Sequence, residues 1–293
     1  MSQFEQPFDL IPRPPFEFAH SLNFIEQFAP SANEQTLTER TFRKAIRAAG
    51  QTVLVEMHST GDAPRLQGTL VAESVITPEI EQAALDRLRF YLSLEDDLLP
   101  FYKLAEGDTA FAPILKRLYG YHQVKFLTPF ENACWAVLTQ RNAMPIASKM
   151  KNALTDYAGN QIAYEGTIYR VFPDAEQLIH LTDTDLKGII GHPQKASYLH
   201  AVIQAFAQAD EQWLRTAPSE MVRTWLRNVR GLGEWSAAFI LLRGLGHVNT
   251  IPLNEARIQG AFHQFYGRKD IQTVAANYAE YQGYWAHYLR AAQ

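Results

Sequence analysis

The sequence holds one cysteine in 293 residues. That excludes a disulfide framework, a tetra-cysteine zinc site and a cysteine-ligated iron–sulfur cluster. No apolar run nears the length of a membrane span; the longest useful stretch, Trp235 to Leu242, is under half of one. Basic residues are not in excess. The net charge of −4 and a pI of about 6.1 argue against a protein held on nucleic acid by bulk positive charge. The opening MSQFEQPFDLIPRPP has acids and prolines where a signal peptide needs basic and then apolar residues, so the chain is expected in the cytoplasm. The nine histidines show no metal-ligand spacing, and His247 and His287 read as structural.

What is present suits a globular protein of two domains: 47% apolar residues to fill a core, 20% charged and 12% aromatic. The charge is unevenly spread. Residues 1–130 carry −5 and residues 131–293 carry +1, while the stretch 221–269 alone carries +5, with Arg223, Arg227, Arg230, Arg243, Arg257, Arg268 and Lys269 against Glu234 and Glu255. Solvated helix faces account for such arginines as readily as a polyanionic partner does.

The first hundred residues mix strand and helix signals. Breaks at Ala49-Gly50 and Gly61-Asp62-Ala63-Pro64 bound a run alternating Val53, Val55 and Met57, the pattern of an antiparallel hairpin or meander. Pro78-Glu79 then opens a helix with Ala84, Leu88 and Tyr91 on its apolar side. A small α+β domain ending near residue 104 is expected, followed by helices. Thr128-Pro129-Phe130-Glu131 is a strong helix start, with Thr as N-cap, Pro in the first turn and Glu placed to close a capping box. Phe130, Ala133, Cys134, Val137 and Leu138 line one face, so Cys134 reads as a small core residue. That helix should stop around Gln140-Arg141-Asn142, and further helices fit 174–181, 194–208 and 219–229.

Val222, Trp225, Leu226 and Val229 mark the inner face of a helix that runs into Gly231-Leu232-Gly233, then a second helix with Trp235, Ala238, Phe239 and Leu242. Two glycines around one leucine make a tight helix–hairpin–helix turn, the glycines free to take positive φ and the leucine pinning the turn to the core. Bare backbone N–H groups at the start of the second helix bind an anion with the help of the helix dipole, and a DNA phosphate fits. Taken alone, the pattern is first a glycine-rich helix connection and only second an anion site.

The neighbours add weight. Gly231-Leu232-Gly233-Glu234-Trp235-Ser236-Ala237 leads to Leu242-Arg243-Gly244, then to Ile251-Pro252-Leu253-Asn254-Glu255, and the chain closes with Gly283-Tyr284-Trp285-Ala286-His287-Tyr288-Leu289. This resembles the helix–hairpin–helix base-excision DNA glycosylases with a Gly/Pro-rich loop and a catalytic aspartate, most of all the bacterial 3-methyladenine DNA glycosylase II branch. Pro14-Pro15-Phe16-Glu17-Phe18, Thr128 to Gln140, Phe172-Pro173 and Lys195-Ala196 extend the resemblance over almost the whole chain.

The resemblance implies an enzyme that flips a damaged nucleotide out of double-stranded DNA and hydrolyses its N-glycosidic bond, with alkylated purines of the 3-methyladenine and 7-methylguanine class as substrates. It places the catalytic carboxylate three residues after Pro252, at Glu255, where the family has aspartate. The extra methylene moves the carboxylate by roughly 1–1.5 Å, a displacement able to cost about a hundredfold in rate. Without the resemblance, Glu255 is a first-turn acid favoured by the helix dipole. Asn254 beside it helps to orient water or sugar, or serves as an N-cap. Trp235 stands where bifunctional relatives carry a lysine nucleophile, so a monofunctional enzyme leaving an abasic site is expected.

Gln140, Arg141, Gly231, Leu232, Gly233, Trp235 and Ser236 are the implied DNA-binding positions. Arg141 is either the wedge that fills the gap in the base stack or a charge on the helix C-terminus. Tyr284, Trp285 and Tyr288 are candidate walls of the base pocket or plain core; the pocket tryptophan of the closest branch has no clear counterpart. No cofactor is expected beyond a structural Na⁺ or K⁺ at the carbonyls of 228–233. The implied architecture is mainly α with an N-terminal α+β domain: 1–104, a central helical lobe at 128–246, and a second lobe joining 105–127 to 247–293. A monomer is expected, working on the nucleoid of a bacterium. Two alternatives remain: a lesion-binding protein made inactive or weak by the change to Glu255, and a glycosylase for deaminated or etheno bases.

Overall fold

The computed structural model describes residues 3–32, 34–38, 41–61, 64–253 and 255–292. An antiparallel sheet comes first, formed by β1 (Phe4–Leu10), β2 (Gln35–Leu37), β3 (Thr41–Ala48), β4 (Gln51–Ser59) and β5 (Leu66–Ala72) in the order β1-β5-β4-β3-β2. The turn between β3 and β4 is the two-residue Ala49-Gly50, both at positive φ, which matches the twist of the strands it joins. Val53, Val55 and Met57 point into the main core, as their alternation predicts. The helix Pro78–Tyr91 packs beside them through Ile80, Ala84, Leu88 and Tyr91, capped by the Thr77 hydroxyl, which accepts the Ile80 N–H.

The rest is largely helical, in line with the expected fold class. One core cluster joins the inner face of the sheet to Phe111, Ile114, Leu118 and Tyr121 and to the helices Ala256–Tyr266 and Gln282–Ala291. A second surrounds the helix Pro129–Thr139, ten of whose eleven residues are buried, and takes in the helices Pro193–Ala207 and Ser219–Asn228. A hairpin of β6 (Gln161–Tyr164) and β7 (Thr167–Arg170) covers the outer face of the sheet, setting Ile162 and Tyr169 against Ala45, Leu54 and Val71. The helix Phe18–Glu26 lies where the two large clusters meet, and its Phe24 packs against both. No helix among the described residues is long and apolar enough to cross a membrane.

Candidate active site

The helix Pro129–Thr139 delivers one edge of the site. The Thr128 hydroxyl accepts the Glu131 N–H at 3.0 Å, the expected cap. Glu131 does not close the capping box, because its carboxylate pairs with Lys151 at 2.8 Å. At the other end, the Lys195 ammonium donates to the carbonyls of Val137 (2.7 Å) and Gln140 (2.8 Å), placing a cation on the helix C-terminus. Gln140 Nε2 then donates to the Gly231 carbonyl at 2.7 Å, tying this helix to the glycine hairpin. Arg141 follows, exposed and left-handed at φ 54°.

The hairpin joins the helices Ser219–Asn228 and Glu234–Ile240. Gly231 is at φ +98°, and a Cβ there would stand 2.6 Å from Cβ and Cγ of Tyr198, so conformation and space both require glycine. Gly233 differs from expectation: its backbone is extended at φ −93°, and a Cβ would meet nothing within 4 Å. Its openness leaves the backbone at the start of the second helix accessible. Leu232 is buried, as expected, and so is Ser236. Trp235 is 37% exposed and stacks on Phe239 at 5.1 Å, the planes within 8°. Glu234 holds Arg223 at 2.9 Å and Arg227 at 3.2 Å, so two of the arginines in the basic stretch are partly neutralised.

The second hairpin helix widens into a π-helical turn at Leu241–Leu245, which carries Arg243 inward. Arg243 is 3% exposed, with its guanidinium 4.7 Å from the Phe24 ring and 5.3 Å from that of Phe28. Nη1 lies 3.0 Å from His287 Nδ1. Arginine can only donate, so Nδ1 accepts and the proton of the neutral ring sits on Nε2, which donates to Tyr121 Oη at 3.0 Å. Burial, then the charges of Arg243, Arg290 and Lys125, hold His287 well below the usual histidine range. Burial, then Arg290, also weighs against the charge of Arg243, yet a guanidinium remains protonated at neutral pH.

Glu255 immediately precedes the helix Ala256–Tyr266, and its Oε1 accepts from Arg290 Nε at 2.6 Å. Arg290 rides on the last helix and lies 5.9 Å over the same Phe24 ring. A row of aromatic rings runs from the hairpin to this point: Trp235, Phe239, Phe126, Phe28, Phe24, His287, Tyr121, with neighbouring centroids 5.0–6.0 Å apart. One end is exposed and the other is core. A carboxylate at the edge of a cationic and aromatic cluster can stabilise positive charge on a sugar while a flat base lies against the rings.

No family model matches the chain. Over 208 residues, 68% of this chain and 68% of the relative, it is 26% identical to a DNA-3-methyladenine glycosylase of Bacillus subtilis. The 3-methyladenine DNA-glycosylase from Archaeoglobus fulgidus superposes with a TM-score of 0.77 over 97% of each chain, at 19% identity. In sequence the chain is similar to that DNA-3-methyladenine glycosylase, and in fold to the Archaeoglobus fulgidus protein. It has the helix–hairpin–helix glycosylase fold, which extends to the 8-oxoguanine glycosylase/lyase of Clostridium acetobutylicum, with a TM-score of 0.72 over 100% of this chain and 98% of the other at 16% identity.

Gln140 and the hairpin come together, and Glu255 faces Arg290, while Tyr284, Trp285 and Tyr288 lie in the core. They are at most 1% exposed, and their polar atoms have internal partners: Tyr284 with Asp96, Trp285 with Tyr266, Tyr288 with the Tyr121 carbonyl and the Tyr102 hydroxyl. As placed, they present no free face to a ligand. Asn254 lies outside the described residues. Cys134 is buried, and burial pushes its thiol well up, which suits a core residue. His247 bridges Ser219 and the Leu214 carbonyl.

Glu255 is bonded by Arg290, which shares the Phe24 ring with Arg243, and Arg243 in turn reaches His287. Sequence reasoning missed Arg290, Phe24 and Arg243 as site residues. The one available signal was the Pro14-Pro15-Phe16-Glu17-Phe18 landmark, which announces the helix bearing Phe24. An apolar surface cleft of about 490 Å³ between Pro145, Ile146, Met150 and Ile190 contains no member of this cluster.

Proposed function

We propose that the chain is a DNA glycosylase of base-excision repair, which hydrolyses the N-glycosidic bond of a damaged purine flipped out of duplex DNA. The observation that carries this is the Glu255 carboxylate, fixed by Arg290 beside the Phe24 ring on a glycosylase scaffold. As the C1′–N bond stretches, its electron pair goes to the base and positive charge builds on the sugar. Glu255 stabilises that charge, and water adds to C1′. Alkylated purines are the substrate class named for the relatives. Trp235 offers no amine for a Schiff base, so the product is an intact strand with an abasic site.

The hairpin amides from Gly233 to Ser236 hold a DNA phosphate, and Gln140 keeps them aligned with Arg141, which enters the gap in the stack. The protein acts as a monomer. Two hairpin carbonyls read as a cation site already accept protein hydrogen bonds, Val229 from Leu232 N–H and Gly231 from Gln140. Each keeps a second lone pair for a weakly held Na⁺ or K⁺, and no step of the reaction is routed through one.

A second reading, a lesion-binding protein that does not cut, has one observation behind it: Glu255 is already engaged by Arg290. Incubation with methylated duplex DNA separates the two. Wild type is expected to release bases and Glu255→Gln to lose that activity. No release by wild type, with binding to abasic DNA retained, selects the second reading. A larger loss on Asn254→Ala than on Glu255→Gln transfers the catalytic role to Asn254, and a borohydride-trapped strand adduct overturns the monofunctional assignment.

A further inference from the structure

Lys195 stands in the first turn of the helix Pro193–Ala207 and is 4% exposed, yet no carboxylate is paired with it among the described residues. Burying an ammonium without an anion is costly, and here two carbonyls take the place of the anion. The two do different things. The Val137 carbonyl lies in the last turn of the helix Pro129–Thr139, where the regular partner of a carbonyl is lost. The Gln140 carbonyl belongs to the peptide that leads into Arg141, so its direction is set by the same rotations that set φ of Arg141. That φ is 54°, a left-handed value that strains any residue but glycine. Lys195 therefore holds the peptide on which the unusual direction of Arg141 depends. Three residues on, along the same face of the helix, Tyr198 meets the glycine hairpin: a Cβ at Gly231 would stand 2.6 Å from it, and the Arg230 guanidinium is 6.0 Å from its ring. One turn of one helix thus touches both the Arg141 loop and the hairpin.

We infer that Lys195 is a positioning residue for base extrusion: by fixing the Gln140–Arg141 peptide it aims Arg141 into the base stack at a set distance from the hairpin amides. This rests on the glycosylase reading, in which Arg141 enters the gap left by the flipped nucleotide and the hairpin holds a phosphate nearby. Lys195 does not itself reach DNA, since it is buried and its ammonium is turned onto the protein's own carbonyls. The exposed backbone at Gly233 lies beyond the contacts with Gln140 and Tyr198, so docking on a phosphate does not need it. Loss of Lys195 therefore differs from loss of a phosphate contact. The protein still docks on duplex DNA, but an Arg141 on a loose peptide no longer keeps the gap filled, and the nucleotide restacks. A displacement of about 1 Å is able to cost about a hundredfold in rate. Counterion release, which measures the phosphates neutralised, is untouched.

The test compares wild type, Lys195→Met, Lys195→Arg, Arg141→Ala and the double variant of Lys195→Met with Arg141→Ala. Extrusion is read as the fluorescence of a 2-aminopurine placed beside a single 7-methylguanine in a duplex, and binding by titration of undamaged duplex at several salt concentrations. Lys195→Met is expected to lower extrusion at saturating protein about tenfold. Its affinity for undamaged duplex should stay within about threefold of wild type, with the same salt dependence. Lys195→Arg, which keeps a cation with several donors, should recover part of the extrusion. Added to Arg141→Ala, Lys195→Met should cost nothing more, because the step it serves is already lost. Extrusion by Lys195→Met equal to that of wild type, or losses that add in the double variant, overturn the inference. A shallower salt dependence overturns it too, and makes Lys195 a phosphate contact. Extrusion by wild type without release of 7-methylguanine sinks the glycosylase reading alone, and the same variants still decide the role of Lys195. No extrusion by wild type overturns both. Should Lys195→Met fail to fold by thermal melting, Lys195→Gln, whose amide donates two bonds from a shorter arm, takes its place in the same cycle with the same deciding outcomes.

Discussion

Glu255 meets Arg290 because of its length. Its Oε1 stands 2.6 Å from Arg290 Nε, and an aspartate on the same backbone withdraws its oxygens by about 1–1.5 Å, beyond hydrogen-bonding reach. Glu255→Asp is therefore expected to lower single-turnover base release by about a hundredfold with little change in DNA binding. A faster Glu255→Asp enzyme would show instead that the shorter carboxylate reaches the sugar better once free of Arg290. At this scale sequence reading singles out Glu255 from one local motif, its distance from Pro252, and the base-release assay of Glu255→Gln decides its role. Sequence reading failed for the partners. Phe24, Arg243 and Arg290 come from three distant parts of the chain, and only the fold brings them together. The last helix shows why aromatic spacing alone does not separate a pocket wall from core. Tyr284, Trp285 and Tyr288 turn into the core, while Arg290 on the same helix reaches Glu255.

The elements were legible wherever a period or a cap marked them. The β3–β4 hairpin, the helix Pro78–Tyr91 and the helix after Thr128 appear as read. β1 was not read, because Pro7 interrupts its pattern; it tolerates that proline as an edge strand paired only with β5. β6 and β7 have four residues each, too short to show a period, although the Glu165-Gly166 turn between them, both residues at positive φ, was a usable hairpin signal. The glycine hairpin was read correctly as a turn, but positive φ proved necessary at Gly231 alone. A Cβ at Gly231 collides with Tyr198, and its φ is unfavourable for any L residue, so Gly231→Ala should cost about 1–3 kcal/mol in urea unfolding and weaken DNA binding by displacing the carbonyl that Gln140 holds. Gly233→Ala is the contrast. With open space around it and an extended backbone, it should unfold at nearly the wild-type urea concentration; equal losses at both glycines would remove the steric distinction.

The whole molecule is joined through charge that the sequence balance of −4 does not reveal. Glu34, before β2, and Lys44, on β3, are buried against Glu131 and Lys151 of the central helices. Lys44 bonds Glu34 at 2.9 Å, Lys151 bonds Glu34 and pairs with Glu131 at 2.8 Å, and Lys151 also donates to the Pro30 carbonyl at 2.7 Å. Two cations and two anions cancel, so the cluster was invisible to any count of net charge, and its members are far apart in sequence. Burial, the largest single influence, pushes the Glu34 carboxyl up, but Lys151 and Lys44 together outweigh it and hold it below its ordinary value of 4.5. A carboxyl whose folded pKa is depressed stabilises the fold above its unfolded pKa, and that contribution is lost as the pH falls through the folded pKa. Glu34→Gln leaves two buried lysines facing one carboxylate and should cost about 3–5 kcal/mol at neutral pH. Because the variant has no carboxyl to protonate there, the gap to wild type should narrow as the pH drops below 4.5. Urea unfolding at neutral pH and in that acid range checks both halves. Parallel curves for the two proteins would mean that Glu34 does not couple the sheet to the central helices through its charge.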